Sequence, residues 1–146
     1  SPLTDGGAAT LICNEEYAKK NNLDILAKIV STAVHGCPPE LMGLGPIGAT
    51  RKALKRAELN INDIDIIELN EAFASQSLAC IKELEINPNK VNIEGGAIAL
   101  GHPLGATGAR ITAKAASLMK KQNKKFALAT QCIGLGQGIA TILESV

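Results

Sequence analysis

Short runs of apolar, often β-branched residues alternate along the chain with longer stretches in which polar and apolar positions mix. The runs predict five strands: Ala8–Cys13, Ala27–Val34, Ile64–Leu69, Phe126–Cys132 and Gly138–Leu143. The stretches predict four helices: Glu15 to about Asn21 behind an Asn14 N-cap, Ala49–Ala57, Ala72–Leu84 and Thr107–Lys121. Because no strand is predicted between Ala72–Leu84 and Thr107–Lys121, these two helices together are the third α in the order β-α-β-α-β-α-β-β. That order is typical of an α/β fold, so we expect a five-stranded mixed sheet with helices on its faces.

One predicted helix differs from the others in its charge. No charged residue occurs from Ala72 to Ile81, and a helix that is uncharged all round is usually buried on most sides. We therefore expect the Ala72–Leu84 helix to lie in a central layer, packed on one face of the sheet.

Composition narrows the classes of function. Of 146 residues, 15 are Lys or Arg and 14 are Asp or Glu, a balance that gives no field to attract nucleic acid or an anionic membrane. Aromatic residues make up 2% of the chain, too few for base-stacking platforms. Four cysteines without a C-x-x-C spacing favour free thiols in a reducing cytoplasm over disulfides or zinc.

No apolar stretch reaches the ~18 residues of a membrane-spanning helix. Since no Met or signal-like segment opens the chain, we expect it to begin inside a longer protein.

Three segments contain candidate chemistry. Asn70 follows a strand in Leu69-Asn70-Glu71-Ala72-Phe73-Ala74, where open α/β sheets bind ligands, but taken alone it could equally cap the next helix. His102 lies among the five glycines of Gly95–Gly108, a loop that can approach a ligand closely, although a lone loop histidine is often structural. Cys132 precedes Gly134, whose N–H could face an oxyanion beside the sulfur; alternatively, the cysteine is a small buried apolar residue.

Together the three segments resemble the C-terminal half of a thiolase, more narrowly of an acetyl-CoA acetyltransferase. The motifs Asn-Glu-Ala-Phe, Gly-His-Pro-Leu-Gly-Ala-Thr-Gly-Ala-Arg and Cys-Ile-Gly follow in the family's order, with Asn70, His102 and Cys132 spaced 32 and 30 residues apart. The resemblance covers residues 1–146, which we take as a thiolase C-terminal domain. Met42-Gly43-Leu44-Gly45-Pro46 is similar to the family's substrate-pocket segment. The departures are Pro2, Thr4, Ile93-Glu94, and Leu135 in place of a usual glycine; none removes a reacting group.

The resemblance implies a Claisen condensation of two acetyl-CoA molecules to acetoacetyl-CoA and CoA, or the reverse thiolysis. It implies that His102 activates a nucleophilic cysteine in the N-terminal half, that Asn70 holds a water in the enolate-binding hole, and that Cys132 is the acid/base. The Gly134 N–H would serve the oxyanion hole of the acyl-enzyme step. The residues implied to bind substrate, with short acyl chains of C4 at most or slightly branched, are Ser1, Met42, Ala72 and Phe73. The resemblance implies no metal or redox cofactor, because the CoA thioesters are substrates.

The implied partners are the thiolase N-terminal half, without which we expect these residues to be inactive, and further copies in a dimer or tetramer. We expect a cytoplasmic protein that binds neither nucleic acid nor membrane. Three alternatives stay open: a longer-chain 3-ketoacyl-CoA thiolase, a non-catalytic thiolase-like binding protein, and a condensing enzyme of the ketoacyl-synthase type. Binding proteins of this kind commonly lose a reacting group, and ketoacyl synthases usually have a second histidine where Cys132 stands.

Overall fold

Four strands, not the predicted five, form the sheet of the computed structural model, which describes residues 2–146. The strands are β1 (Lys28–Gly36), β2 (Ile66–Leu69), β3 (Phe126–Ile133) and β4 (Gln137–Glu144). Their order across the sheet is β1-β4-β3-β2, with β2 parallel to β3 and the other two neighbouring pairs antiparallel. The sheet is therefore mixed, as expected, and β3 and β4 form the predicted final hairpin.

The predicted first strand, Ala8–Cys13, is wrong for this chain. These residues lie outside any strand and are exposed, with Leu11 at 79% and Ile12 at 71% of full exposure. A strand forms only where a neighbour can pair with its N–H and C=O groups, and none of the strands in residues 2–146 pairs with this segment. The segment therefore has the apolar sequence pattern of a strand, but it has no neighbouring strand among residues 2–146 with which to pair.

Five α-helices connect or flank the strands: α1 (Glu15–Lys20), α2 (Gly45–Ala57), α3 (Ala74–Glu83), α4 (Ala97–Leu100) and α5 (Leu104–Lys121). Short 3₁₀ helices occur at Pro39–Leu44, Ile61–Asp63 and Pro88–Lys90. The predicted Asn14 cap is present, since its Oδ1 accepts a hydrogen bond from Tyr17 N at 2.7 Å. Both α2 and α5 begin earlier than predicted, because a proline at or next to the first turn is compatible with helix initiation.

The two faces of the sheet pack against different helices. Side chains from alternate strand positions, such as Ile67 and Leu128, form a core with α2 and α3 on one face. The intervening positions, such as Ile66 and Ala127, form a second core with α5 on the other face. Within residues 2–146 no helix is both long and apolar enough to cross a bilayer.

The expectation of a helix buried on most sides is wrong for this chain. On α3, Gln76, Ser77 and Cys80 are buried against the rest of the fold. Leu78, however, is 66% exposed, and Phe73, at the N-cap, is 61% exposed. The uncharged helix is therefore buried on one side only, because the described residues pack against that side and leave the other side exposed to solvent.

Candidate active site

Asn70 lies at the end of the parallel strand pair β2–β3, where β2 is the edge strand of the sheet. Its backbone N–H donates to Thr130 O at 2.9 Å, which extends the β2–β3 pairing by one residue. The side chain is 1% exposed, and its Nδ2 lies 3.3 Å from His102 Nε2. Two residues that are 32 positions apart in sequence are thereby brought into contact.

His102 is held from its other side by Thr107, in the first turn of α5. Its Nδ1 lies 2.7 Å from Thr107 Oγ1, and that hydroxyl donates its own hydrogen to Pro103 O at 2.9 Å. Since the hydroxyl hydrogen is already used, Nδ1 is the donor to Thr107, and Nε2 accepts from the Asn70 amide. The network therefore sets one tautomer of the imidazole and leaves Nε2 as its basic atom.

The electrostatics of His102 favour the neutral ring. Burial lowers the pKa of His102 below its ordinary value, and the nearby Arg110 cation lowers it further. At neutral pH the imidazole is therefore available as a proton acceptor at Nε2.

Cys132 lies at the C-terminal end of β3, opposite Gly138 of β4. Its thiol is free and half-buried, and burial raises its pKa above the ordinary value for cysteine. Two residues further on, Gly134 is exposed and its Cα faces open space. Leu135, the departure noted above, has a left-handed φ of 68°, a conformation that a glycine would adopt without strain.

The three predicted chemical residues share one edge of the sheet. Asn70 follows β2 and Cys132 is the next-to-last residue of β3, so both lie at the carboxyl ends of the parallel strands, and His102 contacts Asn70 directly. The Cys132 thiol makes no hydrogen bond to Asn70 or His102 within the part of the chain that the structure describes. This edge is where open α/β sheets bind ligands.

The predicted substrate-binding residues differ in their placement. Ala72 is buried and Phe73 is exposed, both directly before α3. Met42 is half-buried in the 3₁₀ helix Pro39–Leu44, which packs on α3 where Cys80 Sγ lies 3.5 Å from Gly43 O. Ser1 lies outside the described residues.

The sequence did not predict a set of hydrogen bonds that supports the site. Asn92 pairs with both backbone groups of Leu69: its Oδ1 accepts from the N–H at 3.0 Å and its Nδ2 donates to the C=O at 2.8 Å. The same Nδ2 donates to Glu71 Oε1 at 2.7 Å, and Glu71 Oε2 accepts from Ile98 N at 3.0 Å. Glu71 therefore ties the Asn-Glu-Ala-Phe motif to the loop that leads to His102. A Cβ on Gly96 would lie 2.4 Å from the Glu71 carboxyl carbon, so a side chain there would displace the carboxylate from this position.

Sequence signals for this frame were weak. Thr107 follows His102 by five residues at a helix start, which is a position where a hydroxyl can face a preceding loop. For Glu71 and Asn92, nothing in the local pattern distinguishes a clamp from surface polar residues. Within residues 2–146, no group of three or more His, Cys, Asp or Glu side chains could hold a metal ion.

Comparison with known proteins extends these observations. Residues 23–145 match the family profile "Thiolase, C-terminal domain". The chain is 56% identical over 147 aligned residues to a 3-ketoacyl-CoA thiolase of Vibrio parahaemolyticus, and 57% identical to one of Photorhabdus laumondii. Each alignment covers 99% of this chain but 38% of the relative, so the chain spans about two fifths of the length of these curated proteins.

Solved structures agree with the sequence comparison. The human mitochondrial 3-ketoacyl-CoA thiolase superposes with a TM-score of 0.88 at 48% identity. The acetyl-CoA acetyltransferase of Bacillus anthracis gives the same TM-score at 43% identity. In both comparisons the match covers 90% of this chain and 34% of the solved chain. The profile match and these similarities show that the chain belongs to the thiolase family and represents its C-terminal half.

Proposed function

We propose that this chain supplies the acid/base half of a thiolase active site in an intact protein that cleaves 3-ketoacyl-CoA with CoA. The observation that supports this most directly is the hydrogen-bonded series Asn70–His102–Thr107 at the sheet edge where Cys132 also lies. A binding protein without chemistry has no need for a neutral imidazole held in one tautomer.

His102 acts first in this proposal. Its unprotonated Nε2 takes the proton of a nucleophilic cysteine that lies outside this chain, and the thiolate attacks the 3-keto carbonyl. The protonated ring then donates from Nε2 to the thioester oxygen as the C–C bond breaks and an enolate forms. A water held by Asn70 is the second donor to that oxygen, and each such donor is worth roughly 3 kcal/mol in the transition state.

Cys132 acts second. The raised pKa of its thiol keeps it protonated at rest, which suits a group that must give a proton to the departing acetyl-CoA enolate. The resulting Cys132 thiolate then takes the proton of an incoming CoA thiol, which attacks the acyl-enzyme and restores the starting state. The Gly134 N–H stabilises the oxyanion of that acyl-transfer step. These steps need no metal or redox cofactor, and CoA thioesters enter as substrates.

Two ranges of acyl-chain length are candidates for the substrate. The curated relatives named above are 3-ketoacyl-CoA thiolases, and Phe73 is exposed, so the described residues do not close a short acyl pocket. Both observations favour chains longer than C4. The Bacillus anthracis relative favours the second candidate, acetoacetyl-CoA chemistry with short chains.

Kinetics of the intact protein test the proposal. Thiolysis of C4, C8 and C16 3-ketoacyl-CoA is followed at the enolate absorbance, and we expect kcat/KM for C8 to exceed that for C4. Cys132→Ser should lower kcat by at least a thousandfold, whereas Cys13→Ser, at an exposed thiol outside the site, should leave it unchanged. Absence of thiolysis with all three substrates would refute the function, and C4 turnover alone would favour the short-chain candidate.

The intact protein also defines the proposed partners. We place the nucleophilic cysteine and most of the CoA-binding surface in the N-terminal half of the thiolase, and we expect a cytoplasmic dimer or tetramer. Size-exclusion chromatography with light scattering of the intact protein checks the oligomeric state.

A further inference from the structure

A layer of buried polar side chains lies behind Asn70, between the sheet and α5. Glu68 and Asn70 alternate with Leu69 along β2 and so face the same side as Ile66, which packs against α5. Gln131 of β3 faces the same side, since a Cβ on Gly108 of α5 would lie 3.4 Å from its Nε2. The layer continues the apolar core of that face toward the carboxyl edge of the sheet.

Several polar atoms in this layer are buried and lack a hydrogen-bond partner. They comprise three acceptors and two donors: Glu68 Oε1, Asn70 Oδ1, Gln131 Oε1, Arg110 Nε and Arg110 Nη1. Glu68 and Asn70 are each 1% exposed. A buried polar atom without a partner costs about 1–3 kcal/mol, and ordered internal water is the usual partner where protein groups do not reach. A water needs two to four polar neighbours, and a layer with both donors and acceptors provides them.

Arg110 is central to this layer. It lies one helical turn after Thr107 on α5, and its charge acts on both Glu68 and His102. The other charged groups that act on Glu68 are Lys114 of the same helix, whose Nζ donates to Gly95 O at 2.9 Å, and the carboxylates of Glu71 and Glu94. Arg110 thus has two buried donors that lack partners, and it lies close enough to both Glu68 and His102 for its charge to act on them.

The orientation of the Asn70 amide is the feature that this layer can control. With no donor at Oδ1, the amide could turn by half a rotation and present oxygen instead of N–H to His102 Nε2. That orientation favours the Nε2–H tautomer, in which the Thr107 hydroxyl would leave Pro103 O and donate to Nδ1 instead. A donor held at Oδ1 removes that freedom.

We propose that Arg110 is a positioning residue: through water in this buried layer it donates to Asn70 Oδ1, and Glu68 keeps the guanidinium in the layer. The Asn70 N–H then faces His102 Nε2, and the ring keeps its proton on Nδ1. This inference rests on the proposed function for its catalytic meaning, but its structural content does not depend on turnover.

The test uses the intact, substrate-free protein labelled with ¹⁵N at histidine. The side-chain shifts of His102 report the tautomer, and a high-resolution crystal structure reports the water. We expect wild type to be almost entirely the Nδ1–H form, and Arg110→Met to show at least one tenth of the Nε2–H form. Lys114→Met is the matched control, because it removes a cation from the same helix and layer; it should leave the tautomer unchanged. Glu68→Gln, close to isosteric, should shift the tautomer in the same direction as Arg110→Met but less.

The outcomes separate the two proposals. A dry layer in the crystal structure, or an unchanged tautomer in a folded Arg110→Met protein, would overturn the positioning role. If Arg110→Met does not fold, an unchanged tautomer in Glu68→Gln overturns it instead. Where the protein is an active thiolase, Arg110→Met should lower kcat about tenfold with KM within twofold of wild type. Water and tautomer as expected in a protein without thiolysis would refute the proposed function and leave this inference standing.

Discussion

Thr107 shows how one hydroxyl controls the chemistry of a neighbouring ring. Its hydrogen is donated to Pro103 O, and in that arrangement its oxygen accepts from His102 Nδ1. Thr107→Val keeps the shape of the side chain and removes that acceptor, which leaves the Nδ1–H without its partner at a cost of ~1–3 kcal/mol. We expect kcat for thiolysis by the intact protein to fall roughly 10- to 100-fold, with a smaller change in KM.

Thr107→Ser is the matched control, because it retains the hydroxyl and should keep kcat within about threefold of wild type. Equal losses in the two variants would mean that the methyl group of Thr107, rather than its hydroxyl, is what matters at this position.

A second residue-scale effect concerns the buried carboxyl of Glu68. Burial raises its pKa from 4.5 to about 7, against the lowering influence of Lys114 and Arg110. Because the folded state binds this proton more tightly than the unfolded state, the stabilisation is complete below pH 4.5 and is lost as the pH rises to about 7. Its full size is on the order of 3 kcal/mol.

Urea unfolding between pH 4 and 8 measures this effect. We expect the unfolding free energy of wild type, relative to that of Glu68→Gln, to fall across this window and then level off. A difference that stays constant with pH would show that Glu68 titrates normally in the folded protein.

Among elements, the segment before α5, which includes α4, depends on contacts from Glu71, two residues after β2. Glu71 accepts from Asn92 Nδ2 and from the Ile98 N–H, so one carboxylate joins two segments that are more than 20 residues apart. Removing both hydrogen bonds in Glu71→Ala should free the Ile98 N–H and cost roughly 2–3 kcal/mol of local stability. We expect hydrogen exchange at Ile98 to accelerate by at least tenfold.

Two variants sharpen that experiment. Glu71→Gln keeps one oxygen acceptor and should accelerate exchange less than Glu71→Ala. Glu16→Ala removes an exposed carboxylate of α1 and should not change exchange at Ile98. Protection of Ile98 that survives Glu71→Ala would show that other contacts hold the loop.

Sequence patterns predicted the elements whose partners lie within the chain. The runs Phe126–Cys132 and Gly138–Leu143 became strands because each pairs with the other, and Thr107–Lys121 became a helix because its apolar side meets the sheet. Ala8–Cys13 has a similar apolar run, but no strand among residues 2–146 pairs with it, and pattern alone contains no information about the partner. This segment lies before residue 23, where the family match begins.

The same limit applies to the candidate site. Asn70, His102 and Cys132 were predicted because each lies in a short, contiguous motif that resembles a known family. Thr107, Glu71 and Asn92 act through contacts that only the folded chain creates, and none of them is distinguishable locally from a helix or surface residue. Glu68 and Arg110 were still harder to predict from sequence. Alternation predicts which side of the sheet Glu68 faces, but it does not predict that Glu68 and Arg110 will have buried polar atoms without hydrogen-bond partners.

At the scale of the whole molecule, an apolar side of α3 is exposed in a chain that spans only part of the length of its relatives. The chain spans 38% of the length of its curated relatives, and α3 presents Leu78 and Phe73 to solvent in a stretch without charge. Burial of apolar surface stabilises an interface by ~25 cal/mol per Å², so a face of this kind drives association.

We therefore expect residues 1–146, produced alone, to form dimers or larger species through the exposed side of α3, and to lack thiolase activity because the proposed nucleophile lies in the N-terminal half. Leu78→Glu places a charge in the middle of that side, where an apolar contact would have to bury it, and should shift the population toward monomer. Lys20→Gln, a charge change of the same size and sign on α1, is exposed and distant from α3 in sequence and should leave association unchanged. Sedimentation velocity of the three proteins at several concentrations makes the comparison.

A monomeric wild type would show that α3 is not an association surface, and equal effects of both substitutions would attribute association to net charge. Thiolysis of acetoacetyl-CoA above background by this chain would place the nucleophile among its own cysteines.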